Sequence, residues 1–566
     1  MSPVPHRGAF AGRVLPLLFL AACAGANAAS PSGGSKGPDA IAPGAAGAAA
    51  GIRPEAVSAH IRFLADDLLE GRAAGERGFD IAAAYVASQL QGMGLEPAGD
   101  DGGWFQAFTL RGGRTRAARL EVRAPGGEAI ALVRDRDFLA RPTLAEGLAD
   151  VTGPVVYVGH GIVAPEYTWD DLAGLDLRGK VVMVLSGAPL GTTRDFFPPI
   201  PSAVYGSPRT KLERLLARGV VGVLWVQTPV RERVNPFANQ VSHASQGAMA
   251  LVENGLVPAR ESVAQAVLSM PGADALLAAA GRPERVSTLF AAAERREHGP
   301  FALGTEVHLR VEAELRTVHT ANVVGLWRAA PGSPVGERVV FTAHLDHLGI
   351  GKPENGDAIY NGASDNAAGV ANVLEVARAF TRLPQRPRRG VLFALVSAEE
   401  EGLLGSEWFV AHPPVRREAL VADVNADSGL PVFLPREVGA LGADESTLGD
   451  DARRAAAALG LSLGGDPDPQ QAFPVRSDQY SFLRAGIPGT ATRVGMGGAT
   501  EKERAEAVAY RQAHYHRAAD HWEPGRDYGP AALLARFQFL LGLSAAERPD
   551  RPRLLPDSFF LPRPGS

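Results

Sequence analysis

Apolar positions along this chain recur at two spacings. From Pro54, "VSAHIRFLADDLLEGR" sets Val57, Ile61, Leu64 and Leu68 on one helical face, and "FDIAAAYVASQLQGMGL" does the same with Ile81, Tyr85, Val86 and Leu90 before Gly92 and Gly94 end the pattern. Farther on, runs that are apolar at nearly every position ("ERVVFTAHLDH", "RGVLFALVSAEE", "LVADVNADSG") alternate with an amphipathic stretch, "NAAGVANVLEVARAF", in which Val370, Val373, Leu374, Ala377 and Phe380 share a face. Strands covered on both faces read as continuous apolar runs, so the pattern predicts an α/β fold with a mostly parallel sheet and helices on both sides. From about Arg136 to Gly299 the character changes to the strands "GPVVYVGHGIV" and "GKVVMVLSGAP" and the helix "TKLERLLARG" leading into "VVGVLWVQ". That stretch reads as a smaller, β-rich unit inserted into the main one, without clustered metal-type ligands. The expected division is residues 53–135 and 300–546 for the main domain and 136–299 for the insert.

Composition narrows the function. The chain has 566 residues, 46% of them hydrophobic, with 57 basic against 62 acidic side chains. That length supports two or three domains, and the near balance of charge offers no basic footprint for nucleic acid; a small soluble substrate fits better. The first segment has a basic start (Arg7, Arg13) and an apolar run from Val14 to Ala22, too short to span a bilayer and typical of a secretory signal. The only cysteine, Cys23, closes "LAAC", which resembles the lipobox of bacterial lipoproteins, so residues 1–23 are expected to be a lipoprotein signal and Cys23 the lipid anchor. Cleavage after Ala28 is the competing reading, and both put the mature protein outside the cytoplasm, facing the periplasm or secreted. Residues 24–52 are small, polar and glycine-rich and read as a flexible linker, and the proline-rich 547–566 as a poorly structured tail.

In open parallel sheets, ligands bind beyond the carboxyl ends of the strands, so the polar residues at those ends belong together. "RVVFTAHLDH" ends in His344 and Asp346, which point the same way on a strand while His347 does not if the strand continues. A metal-binding histidine oriented by a carboxylate would look like this, and so would a capped surface turn. Asp365 stands just before a helix, where N-capping is the ordinary role; Glu399 and Glu400 end the next strand, Asp427 the one after, and "HYHRAADHW" brings His514 and His516. Nitrogen and oxygen donors together suit zinc better than calcium.

His344-Leu345-Asp346, "SDNAAG", "AEEEGLLGS", "NAD" ending at Asp427, "RSDQYSFLRAGIP" and "YHRAAD" resemble, in this order, the co-catalytic zinc exopeptidases that include secreted bacterial aminopeptidases. Glutamate carboxypeptidase, the transferrin receptor and glutaminyl cyclases are more distant relatives. The likeness runs from Glu55 to about Leu543, "LEGRAAGERG" included, and the insert resembles the protease-associated domain often set into such enzymes. The resemblance implies two zinc ions bridged by Asp365, with His344 and Asp427 on one and Glu400 and His516 on the other. It makes Glu399 the general base and has Asp346 orient His344. Glu401 falls at a variable position and reads as solvated; Gln479, where many relatives have histidine, is not a ligand position; His514 is the alternative to His516. The implied activity is aminopeptidase action on peptides. Carboxypeptidase action, which should show basic residues in the substrate pocket, and a non-catalytic peptide-binding role are the alternatives.

Overall fold

The computed structural model describes residues 42–561 except 125, 190–196, 298, 334–335 and 468–470. The signal segment and Cys23 lie outside the described residues.

The main body is built on four adjacent parallel strands, in the order Gly390–Val396, Arg338–His344, Leu420–Ala426 and Gly489–Val494. Their alternate residues feed two different cores. Val339, Phe341 and Ala343 face the helices Pro54–Leu64, Arg77–Gly92, Ala368–Thr381 and Gly529–Glu547, while Val340 faces Phe409 and Phe482 on the other side. Both faces being covered, the strands are mostly apolar on both sides, with Thr342, Asp423 and Asn425 buried and bonded to one another through the Thr342 hydroxyl. The sheet is mixed, with Glu437–Leu441 and the long strand Phe301–Trp327 antiparallel to their neighbours.

Phe301–Trp327 joins the two halves of the molecule. Its last residues pair with Gly390–Val396, its first half with Leu148–Tyr157, and its residues 306–323 with Phe105–Arg123. Beyond Leu148–Tyr157 the strands Val181–Leu185, Gly222–Val226 and Ala264–Leu268 continue in parallel, so the inserted residues extend the same 16-stranded sheet. They carry two cores of their own, one around Tyr157, Met183 and Leu224 and one around Val182, Leu215 and Trp225. Residues 41–566 form one compact unit.

Three expectations need correction. The expected linker is not extended up to residue 52: Ala45–Ala50 is a helix whose Ala45, Ala48 and Ala49 are buried against the helices Ala368–Thr381 and Gly529–Glu547. Small side chains make that close approach possible, although as composition they read as a tether. Leu68 is 75% exposed, because the helix stops at Leu64 and the following turn buries Leu69 instead. The expected tail is also ordered as far as 561: Leu554 pairs with Ser446, Ser558 donates to Glu445 at 2.7 Å, and Phe559 packs against Tyr205 of the insert at 5.7 Å between ring centres.

Candidate metal centre

The strand Arg338–His344 ends at His344, in register with Val396 of its neighbour, so its last side chain stands beside the turn carrying Glu399 and Glu400. Ala398 takes a left-handed φ of 58° in that turn, and Gly402 N–H closes it on the Glu399 carbonyl at 2.8 Å. On the other side, Leu420–Ala426 delivers Asp427. Asp365 comes from the loop before the helix Ala368–Thr381, and the peptide between Asp365 and Asn366 is cis.

The side chains converge on Asp365. His344 Nε2 lies 3.1 Å from Asp365 Oδ1, 3.8 Å from Asp427 Oδ1 and 4.0 Å from Glu399 Oε2. His516 Nε2 lies 3.2 Å from Asp365 Oδ2 and 3.2 Å from Glu400 Oε2. One carboxylate therefore turns each of its oxygens to a different histidine. The structure brings together His344, Asp365, Glu399, Glu400, Asp427 and His516. His514 is elsewhere, donating through Nδ1 to the Tyr510 carbonyl at 2.8 Å. Gln479 is buried below the site, accepting from Asn425 and donating to the Pro474 carbonyl.

The surroundings fix these orientations. His344 Nδ1 is 3.1 Å from the Asp346 carbonyl, which can only accept, so Nδ1 carries the proton and Nε2 presents its lone pair to the cluster. The Asp346 carboxylate differs from expectation: it is 4.0 Å from Nδ1, and it accepts the backbone N–H groups of Glu399 and Glu400 at 3.2 and 3.3 Å. It thus shapes the turn that aims the two glutamates, while its main chain orients His344. Asp427 accepts from the Ser477 hydroxyl at 2.7 Å. Asp520 holds the Asp365 loop by accepting the N–H groups of Ser364 and Asp365 at 2.9 and 3.1 Å.

Two contributors were not anticipated. Strand parity points His347 away from the site, but the strand stops at His344, and the chain turns so that His347 Nδ1 reaches Glu400 Oε1 at 2.7 Å, leaving Oε2 for His516. Arg72, in "LEGR", is buried and donates to the carbonyls of Leu345, Asn361, Gly362 and Leu64, tying together the loops that carry Asp346 and Asp365. Only the likeness of "LEGRAAGERG" pointed to that segment. Glu401 is half-buried rather than solvated, and burial beside Asp346 and Glu400 pushes its carboxyl up to about 8.

The electrostatics call for a cation. Burial pushes Glu399 well above the usual carboxylate range, with Glu400, Asp427 and Asp478 adding to the push against the attraction of His344. Burial would also raise Asp365, but its bonds to His344 and His516 hold it well below the ordinary value. Four carboxylates and three imidazoles this close are costly to gather unless positive charge joins them. Imidazole nitrogens and carboxylate oxygens within bonding reach of one another, with a fixed tautomer at His344, form a donor set that fits zinc.

Comparison with known proteins follows the same line. The match to peptidase family M28 covers residues 322–531, the span that holds every one of these donors. The chain is 28% identical over 168 residues to leupeptin-inactivating enzyme 1 of Streptomyces exfoliatus, covering 30% of this chain and 34% of that protein. It is 31% identical over 135 residues to mouse aminopeptidase NAALADL1, covering 23% of this chain and 16% of the relative. The chain thus spans about a third or less of the length of these two relatives. An aminopeptidase from Aneurinibacillus sp. strain AM-1 shares the fold over 90% of this chain and 98% of its own, at 19% identity and a TM-score of 0.52. The fold is the α/β architecture expected of the M28 segment, extended by the insert.

Proposed function

We propose that this chain is a two-zinc aminopeptidase acting on peptides outside the cytoplasm. One observation carries the reading: Asp365 turns Oδ1 toward His344, which also faces Asp427, and Oδ2 toward His516, which also faces Glu400, and this suits a carboxylate shared by two ions. Zinc held there would polarise a scissile carbonyl and acidify water. Glu399, although close enough to His344 and Glu400 to share an ion with them, is assigned here to proton transfer. Its buried carboxylate takes the proton of the attacking water and passes it to the departing amine, help typically worth about 10²- to 10⁴-fold. Asp346 positions it through the backbone of the turn, and His347 keeps one Glu400 oxygen turned toward His516. For location, "LAAC" supports a lipid anchor on Cys23; a Cys23→Ser variant should leave the membrane fraction, and unchanged fractionation or a mature terminus at Ala29 would refute the anchor.

The test is a panel of longer peptides with free, N-acetylated or C-amidated ends, given to the zinc-loaded protein. Aminopeptidase action predicts that N-acetylation abolishes hydrolysis and C-amidation does not. The reverse pattern would establish the carboxypeptidase reading, for which arginines in the cavity speak, and zinc binding without hydrolysis of any peptide would leave a binding protein.

A further inference from the structure

Beside the metal centre lies a wall of positive charge that the chemistry above leaves unused. Two adjoining hollows, of about 760 and 640 Å³, share Arg141, Arg231, Arg476, Glu400, Tyr515 and His516 among their lining residues. Arg141 and Arg231 come from the insert and Arg476 from the main body, so the two halves of the molecule build this wall jointly. Among the described residues, neither Arg141 nor Arg231 has a side-chain hydrogen bond or ion pair. Arg476 donates only to neutral acceptors, the Tyr515 hydroxyl at 3.0 Å and the Gln471 carbonyl at 3.2 Å. Tyr515 in turn stacks on His516, with ring centres 3.9 Å apart. Glu261, which attracts Arg141, is itself paired with Arg260 at 3.1 Å. Burial, then the charges of Arg476 and Arg141, hold the Arg231 guanidinium down to about 10.

Glu400 and Glu401 line the same hollows, Glu261 attracts Arg141, and Glu399 and Asp427 attract Arg476, but among the described residues none of the three guanidiniums is ion-paired with a carboxylate, so each keeps donors to offer an anion that enters the cavity. The planar fork of arginine suits a carboxylate, which it can hold by two parallel hydrogen bonds. A phosphate would satisfy the same donors, but the cavity is shared with a centre read as a peptidase, and peptides carry carboxylates.

We propose that Arg141, Arg231 and Arg476 form a subsite for a carboxylate of the peptide substrate, in the first place the C-terminal carboxylate of a di- or tripeptide. The inference rests on the peptidase reading of the same cavity. It makes the insert a determinant of substrate length, because only a short peptide can reach the metal centre with one end and the arginines with the other.

The test uses the zinc-loaded full chain and four probes: alanyl-alanine, its C-terminal amide, alanyl-glutamate amide and alanyl-glutamine amide. kcat/KM for the free dipeptide should exceed that for its amide by about 10- to 100-fold, through KM, as befits a charge-assisted contact. Arg231→Met should bring the ratio toward unity, with Arg231→Lys in between. The glutamate and glutamine pair reads whether a side-chain carboxylate serves as well. Calorimetric binding of the same probes to the zinc-loaded Glu399→Gln protein separates this inference from the reading it rests on. Carboxylate-dependent binding that Arg231→Met removes, in a protein that hydrolyses nothing, keeps the subsite and overturns the peptidase. Hydrolysis with ratios near one in both pairs, or ratios that survive Arg141→Met and Arg231→Met together, overturns the subsite and keeps the peptidase.

Discussion

At the scale of single residues, Glu400 shows how neighbours would orient a candidate ligand. One of its oxygens is held by His347 at 2.7 Å and the other faces His516 at 3.2 Å, so removing His347 frees the carboxylate to rotate. His347→Ala should weaken zinc binding by about 10- to 100-fold, the usual cost of losing a group that orients a ligand, as read by competition with a chelator. Unchanged affinity would show that Glu400 is held by the turn alone. The candidates His344, Glu399, Glu400 and Asp427 are legible because each stands at or just past a strand end inside a short, ordered motif, while Asp365 and His516 lie in loops next to helices. His347 is not legible, because its side depends on where a strand stops, and nothing in "HLDHLG" marks the stop at His344. Lys211 offers a different test. It is buried in the insert, donating to the Leu185 carbonyl at 2.8 Å, and burial lowers its pKa to about 7. Between that value and the ordinary lysine pKa the unfolded chain binds the proton that the folded chain has released, so this group makes stability rise with pH from about 7 to 10. Lys211→Met should flatten that rise in denaturation midpoints measured across the range; an identical slope would contradict the burial cost.

At the scale of elements, strands and helices of the main body follow the apolar rhythm closely, because alternate strand residues fill two cores and leave few polar positions to break the run. The ends of the chain were misread because their structure depends on partners far away in sequence. The helix Ala45–Ala50 packs through alanines that carry little apolar signal, and the C-terminal segment is held by contacts of Leu554, Ser558 and Phe559 with distant elements. Phe559 belongs to the aromatic cluster of Trp169, Phe197 and Tyr205 in the insert, while its neighbour Ser558 is bonded to Glu445 in the main body. This segment therefore straps one half to the other. Phe559→Ala, removing a half-buried ring, should cost about 1 kcal/mol in chemical denaturation. A variant as stable as the parent would mean that the ring contributes nothing to the strap.

At the scale of the whole molecule, the insert is continuous with the sheet of the main body rather than hung from it. Phe301–Trp327 belongs to both, and the Arg209 guanidinium meets the Glu407 carboxylate through two bonds of 2.6 Å across the boundary. Excising residues 136–299 would bare the edge that Leu148–Tyr157 covers along Phe301–Glu312, and bare edges pair with other chains. The excised protein should elute as aggregates on size-exclusion chromatography, and a monodisperse monomer would show that the halves are independent. The account as a whole stands on the division of labour between Glu399 and Glu400, adjacent in sequence and different in task. Zinc content measured beside turnover in the two glutamine variants tests it most directly. Glu399→Gln should keep both zincs and lose about two to four orders of magnitude in rate, whereas Glu400→Gln should lose zinc along with activity. Zinc lost from Glu399→Gln and retained by Glu400→Gln, or peptide hydrolysis unchanged in both, would contradict the account.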